Sequence, residues 1–191
     1  MAENLEKRSR TRKLLKNALI ELCGEKPYYD ITILDICGRA GVYRSTFYRY
    51  YEAKDDMLRE IEYEYIEDTR NLTPTLWSYH ADASPEMYEQ CLRELTADME
   101  YHREHRKLCQ FLLSPAGDIV FHAKMVESVV NTAKKGLQKT GADVSPDGMN
   151  RAIFFANGFI ATIHEWLKNG SSSAQEIAAF LLSMIAQFLQ T

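Results

Sequence analysis

The chain has 191 residues and a formal net charge of −4. That is enough for one domain, or for a small domain joined to a medium one. Hydrophobic residues at 46% and charged residues at 26% exclude a disordered chain, and no run approaches the ~18–20 consecutive apolar residues of a membrane span. Nine Gly and five Pro are few for this length and point to a mostly helical protein, while the net acidity, taken alone, argues against nucleic acid.

The sequence opens MAENLEKRSRTRK, basic but without an apolar run or a small-residue cleavage site behind it. This is not a secretion signal, and the protein is expected in the cytoplasm. Cys23, Cys37, Cys91 and Cys109 are irregularly spaced with no C-x-x-C pair, so they read as small buried apolar residues in a reducing compartment.

Apolar residues at spacings of three and four predict helices over about 7–24, 32–39, 43–50, 54–71, 85–104, 106–113, 118–139, 146–169 and 174–190. Gly and Pro punctuate the gaps. Tyr28 to Leu34 is β-like but too short and isolated to build a sheet. Thr32 with Asp35 and Ser173 with Glu176 have capping-box spacing; Ser84-Pro85 and Ser145-Pro146 place an N-cap before a first-turn proline. The fold class is therefore all-α. A short-helix unit over residues 1–54 precedes a long-helix bundle over 55–191.

Two short helices around Arg39-Ala40-Gly41-Val42 have helix-turn-helix dimensions, with Gly41 as the turn residue. Ile33, Ile36, Val42 and Phe47 can hold the pair at a fixed angle. The second helix carries Tyr43, Arg44, Ser45, Thr46 and Tyr48, too polar on one face for a purely structural role. Arg44 can bond a guanine edge or a phosphate; Ser45 and Thr46 can approach bases; Tyr48 can reach a phosphate. Residues 1–54 hold eleven Lys and Arg against seven Asp and Glu, a net +4, and the remainder carries −8. Lys7, Arg8, Arg10, Arg12, Lys13 and Lys16 cluster at the start, where phosphate attraction has a use. Short helix pairs and basic runs also occur in proteins that never touch DNA, so it is the combination that carries weight.

Residues 31–58, ITILDICGRAGVYRSTFYRYYEAKDDML, resemble the TetR-type helix-turn-helix. Thr32, Asp35, Ile36, Ala40, Gly41, Val42, Phe47, Tyr48, Lys54 and Leu58 match the pattern T-x-x-D-I-A-x-x-A-G-V-S, F-Y-x-x-F, K-x-x-L. The resemblance implies that Thr32 bonds a phosphate, that Tyr43, Arg44, Ser45 and Thr46 face the major groove, and that Tyr48 and Lys54 contact the backbone. Tyr43 departs from the usual small cap, Cys37 from Ala, Tyr51 from Phe, and Ala53 from a capping Ser or Asn. The operator sequence therefore does not transfer from relatives.

In the bundle, helix 146–169 carries two adjacent apolar stripes where a surface helix needs one: Met149, Ile153, Ala156, Ile160, Ile163, Leu167, and Phe155, Phe159, Thr162, Trp166. Helix 174–190 does the same. Two such helices can pair with their copies across a two-fold axis, with Ala156, Phe159, Ile160, Ile163, Leu167, Leu181, Met184 and Phe188 as candidate homodimer contacts. A buried helix pair inside one chain is the competing reading. The resemblance also implies a dimer and a small-molecule effector cavity. Trp77, Tyr88, Met99, Phe111, Phe121 and Met125 are its candidate lining, against the plainer reading that they are core.

His102, His105 and Cys109 have loose metal-ligand spacing, but the run crosses a helix end, and neither a metal nor a cofactor is assigned. There is no P-loop, G-x-G-x-x-G or G-x-S-x-G, so no enzyme is expected. The expectation is a homodimeric regulator, by default a repressor, that binds operator DNA and responds to a small molecule. An activator or co-regulator with a protein partner is the alternative within the class. A helical metal- or ligand-binding protein is the alternative outside it.

Overall fold

Local chemistry sets most helix boundaries. The protein is described by a computed structural model covering residues 2–78, 84–114, 120–140 and 145–189, with the side chains of 2–5, 78, 137, 139, 140, 188 and 189 outside the description. Among the described residues there are nine α-helices: α1 (Ala2–Cys23), α2 (Ile33–Ala40), α3 (Arg44–Phe47), α4 (Lys54–Leu72), α5 (Pro85–Glu104), α6 (Arg106–Leu112), α7 (Phe121–Thr140), α8 (Pro146–Asn169) and α9 (Ala174–Leu189). Tyr28–Asp30 and Leu76–Ser78 are 3₁₀ turns, and no strand occurs among the described residues, so the β-like run becomes a turn and the start of α2.

The predicted caps form. Thr32 Oγ1 accepts the Asp35 N–H at 3.2 Å, and Asp35 accepts the Thr32 N–H at 2.8 Å, closing the box that starts α2. Ser84 accepts from Met87, Ser145 from Gly148, and Ser173 and Glu176 cap each other. Ala53 has no side-chain oxygen to offer. Half a box remains, in which Asp56 accepts the Ala53 N–H at 2.8 Å. Helix α3 is shorter than the spacing suggests. Arg49 and Tyr50 bond back to Thr46 and Phe47, tightening its end into turns.

Helix α1 buries Leu15, Ala18, Leu19 and Leu22 along one stripe, and these join Ile36 and Cys37 of α2, Phe47 of α3 and Met57, Leu58 and Ile61 of α4 in one core. The same core continues through Tyr65 into the bundle. There α5 lies along α9, α7 packs on α8 and α4, and α6 rests against α1 and α8.

Polar ties lock elements far apart in sequence. Glu94, buried on α5, accepts both the N–H and the hydroxyl of Thr75, fixing the segment before the Leu76–Ser78 turn. Lys124 of α7 pairs with buried Glu62 of α4 at 2.7 Å. Arg106 and Gln110 donate to the carbonyls of Lys168 and Leu167, which the end of α8 would otherwise leave unpaired.

Candidate functional site

The putty of the reading head is conformational: α2 ends at Gly41, whose φ of +66° is the left-handed turn a β-carbon would strain. Val42 N–H then bonds Cys37 O at 3.0 Å, and buried Phe47 pins α3 against the core. This scaffold leaves one face of α3 outward. Tyr43, the residue before α3, is 84% exposed and makes no side-chain cap bond. Arg44 and Ser45 are exposed and Thr46 is half-buried. Arg44 Nη2 donates to Tyr48 Oη at 3.0 Å, and its guanidinium sits 5.4 Å from the Tyr48 ring centre. Arg44 is thus held upright by Tyr48 rather than by an acidic partner, which keeps its charge available for phosphate or guanine.

Helix α4 belongs to both halves. On its outer side Arg12 and Lys16 of α1 pair with Glu60, and Lys16 also with Glu64. On its inner side Tyr65 is buried. Tyr65 lines both the charged cleft between α1 and α4 and a partly open cavity of about 60 Å³ in the bundle. The cavity lies between α4, α5, α7 and α8. Trp77, Met125, Val129, Phe155, Phe159 and Ile163 give it apolar walls, with Trp77 and Phe155 edge to face at 6.1 Å.

The polar end of the cavity is Asp98 and His102, one turn apart on α5. His102 Nε2 lies 3.6 Å from Asp98 Oδ2, and His102 Nδ1 is hydrogen-bonded to the Tyr65 hydroxyl. Burial works against a charged imidazole. The Asp98 carboxylate and hydrogen bonding outweigh it, and His102 is pushed up to about 10. The shift favours an imidazolium at neutral pH, set beside Asp98, Tyr65 and Cys109. Burial also holds the Tyr65 phenol well above its ordinary range, so it stays neutral.

The family model for bacterial regulatory proteins of the tetR family matches residues 15–61, and that for a transcriptional regulator C-terminal region, TetR_C_8, matches residues 89–187. The chain belongs to the TetR family. It is a DNA-binding transcriptional regulator with a helix-turn-helix reading head. Among solved structures, a TetR-family regulator from Syntrophomonas wolfei superposes with a TM-score of 0.66 at 18% identity, covering 96% of each chain. A TetR regulator from Streptococcus agalactiae gives 0.64 at 24%, covering 96% of this chain and 98% of its own. The dihydroxyacetone kinase operon activator DhaS gives 0.63 at 19%, covering 94% and 96%. At these identities the likeness establishes the shared fold. No curated protein matches the chain.

Within this TetR-family frame the predicted site residues separate. Tyr43, Arg44, Ser45, Thr46 and Tyr48 come together on one surface. Lys54 does not join them. Its ammonium donates to the carbonyls of Tyr28 and Ile31, each at 2.7 Å, and lies over the Tyr28 ring, so it pins the 28–31 turn to α4. Thr32 is exposed, but both its N–H and its hydroxyl donate to Asp35, so a phosphate would have to compete for that hydroxyl.

Of the expected cavity residues only Trp77 and Met125 line the cavity. Met99 and Phe121 are fully buried core, Phe111 packs beside Tyr28, and Tyr88 is half-buried against the core. Aromatic content alone could not separate wall from core. Asp98 and His102 were missed, although Glu94, Asp98 and His102 at i, i+4 and i+8 among the apolar residues of one α5 face were legible.

Of the expected dimer contacts, Ala156, Ile160, Ile163, Leu167 and Leu181 are buried inside their own chain. Phe159 is a cavity wall and Met184 is half-buried; the Phe188 side chain lies outside the described residues. The open seam of α8 is one step around the helix, at Ile153, Phe154, Asn157, Gly158 and Ala161, with Phe154 83% exposed. Phe180 of α9 is exposed too. Among the described residues His102, His105 and Cys109 do not form a three-ligand cluster, although His102 and buried Cys109 lie side by side. His105 ends α5, stacks on Tyr101 and bonds its carbonyl, while His102 turns inward.

No described helix is long and apolar enough to cross a membrane.

Proposed function

We propose that this regulator binds operator DNA as a homodimer, blocks transcription there, and lets go when a small molecule enters the α4–α5–α7–α8 cavity. The observation that carries this reading is Tyr65. It touches the cavity on one side and, on the other, the cleft where α1 is clamped to α4 by Arg12, Lys16, Glu60 and Glu64. A ligand that moves Tyr65 or His102 therefore acts on the helix that carries the reading head. It can shift the equilibrium only by the difference in its affinity for the two states.

Arg44 is the principal base-reading candidate, Ser45 and Thr46 lie beside it, and Tyr43 and Tyr48 flank the groove contact. Thr32 is a secondary phosphate contact. The second copy packs on the Ile153, Phe154, Gly158, Ala161 and Phe180 surface. The absence of a side chain at Gly158 allows close helix approach, and apolar residues on this scale of exposure are otherwise costly. A two-fold pair then places two α3 helices on successive major grooves, about 34–36 Å apart.

The test is a mobility shift on the DNA upstream of the protein's own gene. Specific binding that weakens steeply with salt, and that is lost with Phe154→Glu together with the dimer by light scattering, supports the reading. Binding by a monomer, or no specific binding, overturns it. Transcription rising when the gene is deleted marks a repressor; transcription falling marks the activator alternative.

A further inference from the structure

We propose that the effector of this cavity is a compact, electrically neutral molecule carrying a hydroxyl or equivalent donor, which it gives to Asp98, with an apolar body set against Trp77, Phe155 and Phe159. This rests on the ligand-release reading above and narrows its ligand. The Asp98 side chain is 5% exposed and lines the cavity. Its Oδ1 is itself buried and has no hydrogen-bond partner among the described residues. Its Oδ2 lies 3.6 Å from His102 Nε2, longer than a good N–H···O bond. A buried carboxylate oxygen left unbonded is costly, and buried polar groups are nearly always satisfied. A donor that reaches Oδ1 from the cavity removes that cost, which gives it affinity that an apolar molecule of the same shape lacks.

Charge and size narrow the class further. The His102 imidazolium already balances Asp98, and Arg70 at the rim pairs with Glu67. A cationic ligand would be drawn to Asp98 but repelled by His102, and an anionic one the reverse. Either would bring a net charge out of water without a counter-ion of its own. A cavity of about 60 Å³ is small. It holds roughly four to six water-sized volumes at ~10–15 Å³ each, which suits a short alcohol or a small ring.

The experiment uses the full chain and defined probes. Phenol and 1-butanol are the neutral donors. Toluene and 1-chlorobutane are their near-isosteres without a donor, and butylammonium and benzoate are the charged controls. Binding is followed by NMR on the Met125 methyl group. Each donor is expected to bind on the order of tenfold or more tightly than its isostere, as a hydrogen bond to a charged group provides, and Asp98→Leu is expected to erase the preference. An isostere binding equally well, a charged probe binding more tightly than the alcohols, or no probe shifting the Met125 signal overturns the proposal. If Asp98→Leu does not fold, the isostere comparison on the unaltered protein decides alone. A mobility shift run in parallel separates the two readings: lost operator recognition removes the regulator mechanism without touching the donor preference, and the reverse holds.

Discussion

Gly136 of α7 and Gly38 of α2 test whether tertiary packing or helix propensity governs a glycine. Both are helical, and replacing Gly by Ala in an unobstructed helix interior stabilises by about 1 kcal/mol. At Gly38 nothing lies within 4 Å of an added β-carbon. Gly38→Ala should therefore raise stability by about 1 kcal/mol, or about 2–4 °C in Tm for a chain of this size. At Gly136 the added carbon would overlap the Trp77 β-carbon and stand 3.5 Å from the Trp77 Cα. The obstacle is the root of a side chain near its backbone, which cannot swing aside. Trp77 is also buried and held by the Thr75–Glu94 bonds two residues earlier. Overpacking of this kind costs about 1–3 kcal/mol, enough to outweigh the propensity gain. Gly136→Ala should lower Tm by several degrees, and because Trp77 is a cavity wall it should also weaken probe binding there. Differential scanning calorimetry of the two variants reads the sign directly. A Tm at or above that of the parent for Gly136→Ala would refute the packing argument.

Other expectations follow from single residues. Lys54→Met takes the ammonium away from the Ile31 carbonyl and from the Tyr28 carbonyl, which keeps the Ile31 N–H, and should cost about 1–3 kcal/mol of stability, while leaving the salt dependence of operator binding unchanged; a slope reduced by about one with Tm intact would instead make Lys54 a phosphate contact. Arg44→Ala should weaken specific operator binding by about 1–3 kcal/mol in a titrated mobility shift with Tm unmoved, and an unchanged affinity would remove Arg44 from the reading face. His102 has a folded-state value raised to about 10, so its stabilisation is complete below its ordinary value near ~6.5 and is lost as pH rises through about 10. Tm should fall between those limits and the fall should flatten in His102→Gln; a parent Tm independent of pH in that window contradicts the charged pair.

The reading head was largely legible because its determinants are local. The Thr32–Asp35 box spans three residues, Gly41 alone supplies the positive φ, and the outward face of α3 follows once Phe47 is buried. The charge split at residue 54 likewise needed only counting. Side-chain fates that depend on a distant partner were not legible. Lys54 looks free in sequence, and only the return of residues 28–31 onto α4 occupies its ammonium.

Periodicity determined that α8 has two apolar faces, but which one meets its own core depends on how α7 and α8 cross, a relation no single helix encodes. The structure turned Ile160 and Ile163 inward and left Phe154 and Gly158 outside. In the same way, sequence supplied a histidine and an aspartate one turn apart on α5. Only the packing of α4 against α5 made them a buried, charge-balanced pair joined to Tyr65. The sequence by itself determined the family, the helices and the reading head, because those rest on contacts a few residues apart. Tertiary structure decided the cavity and the open seam, because both are spaces between helices and belong to none of them.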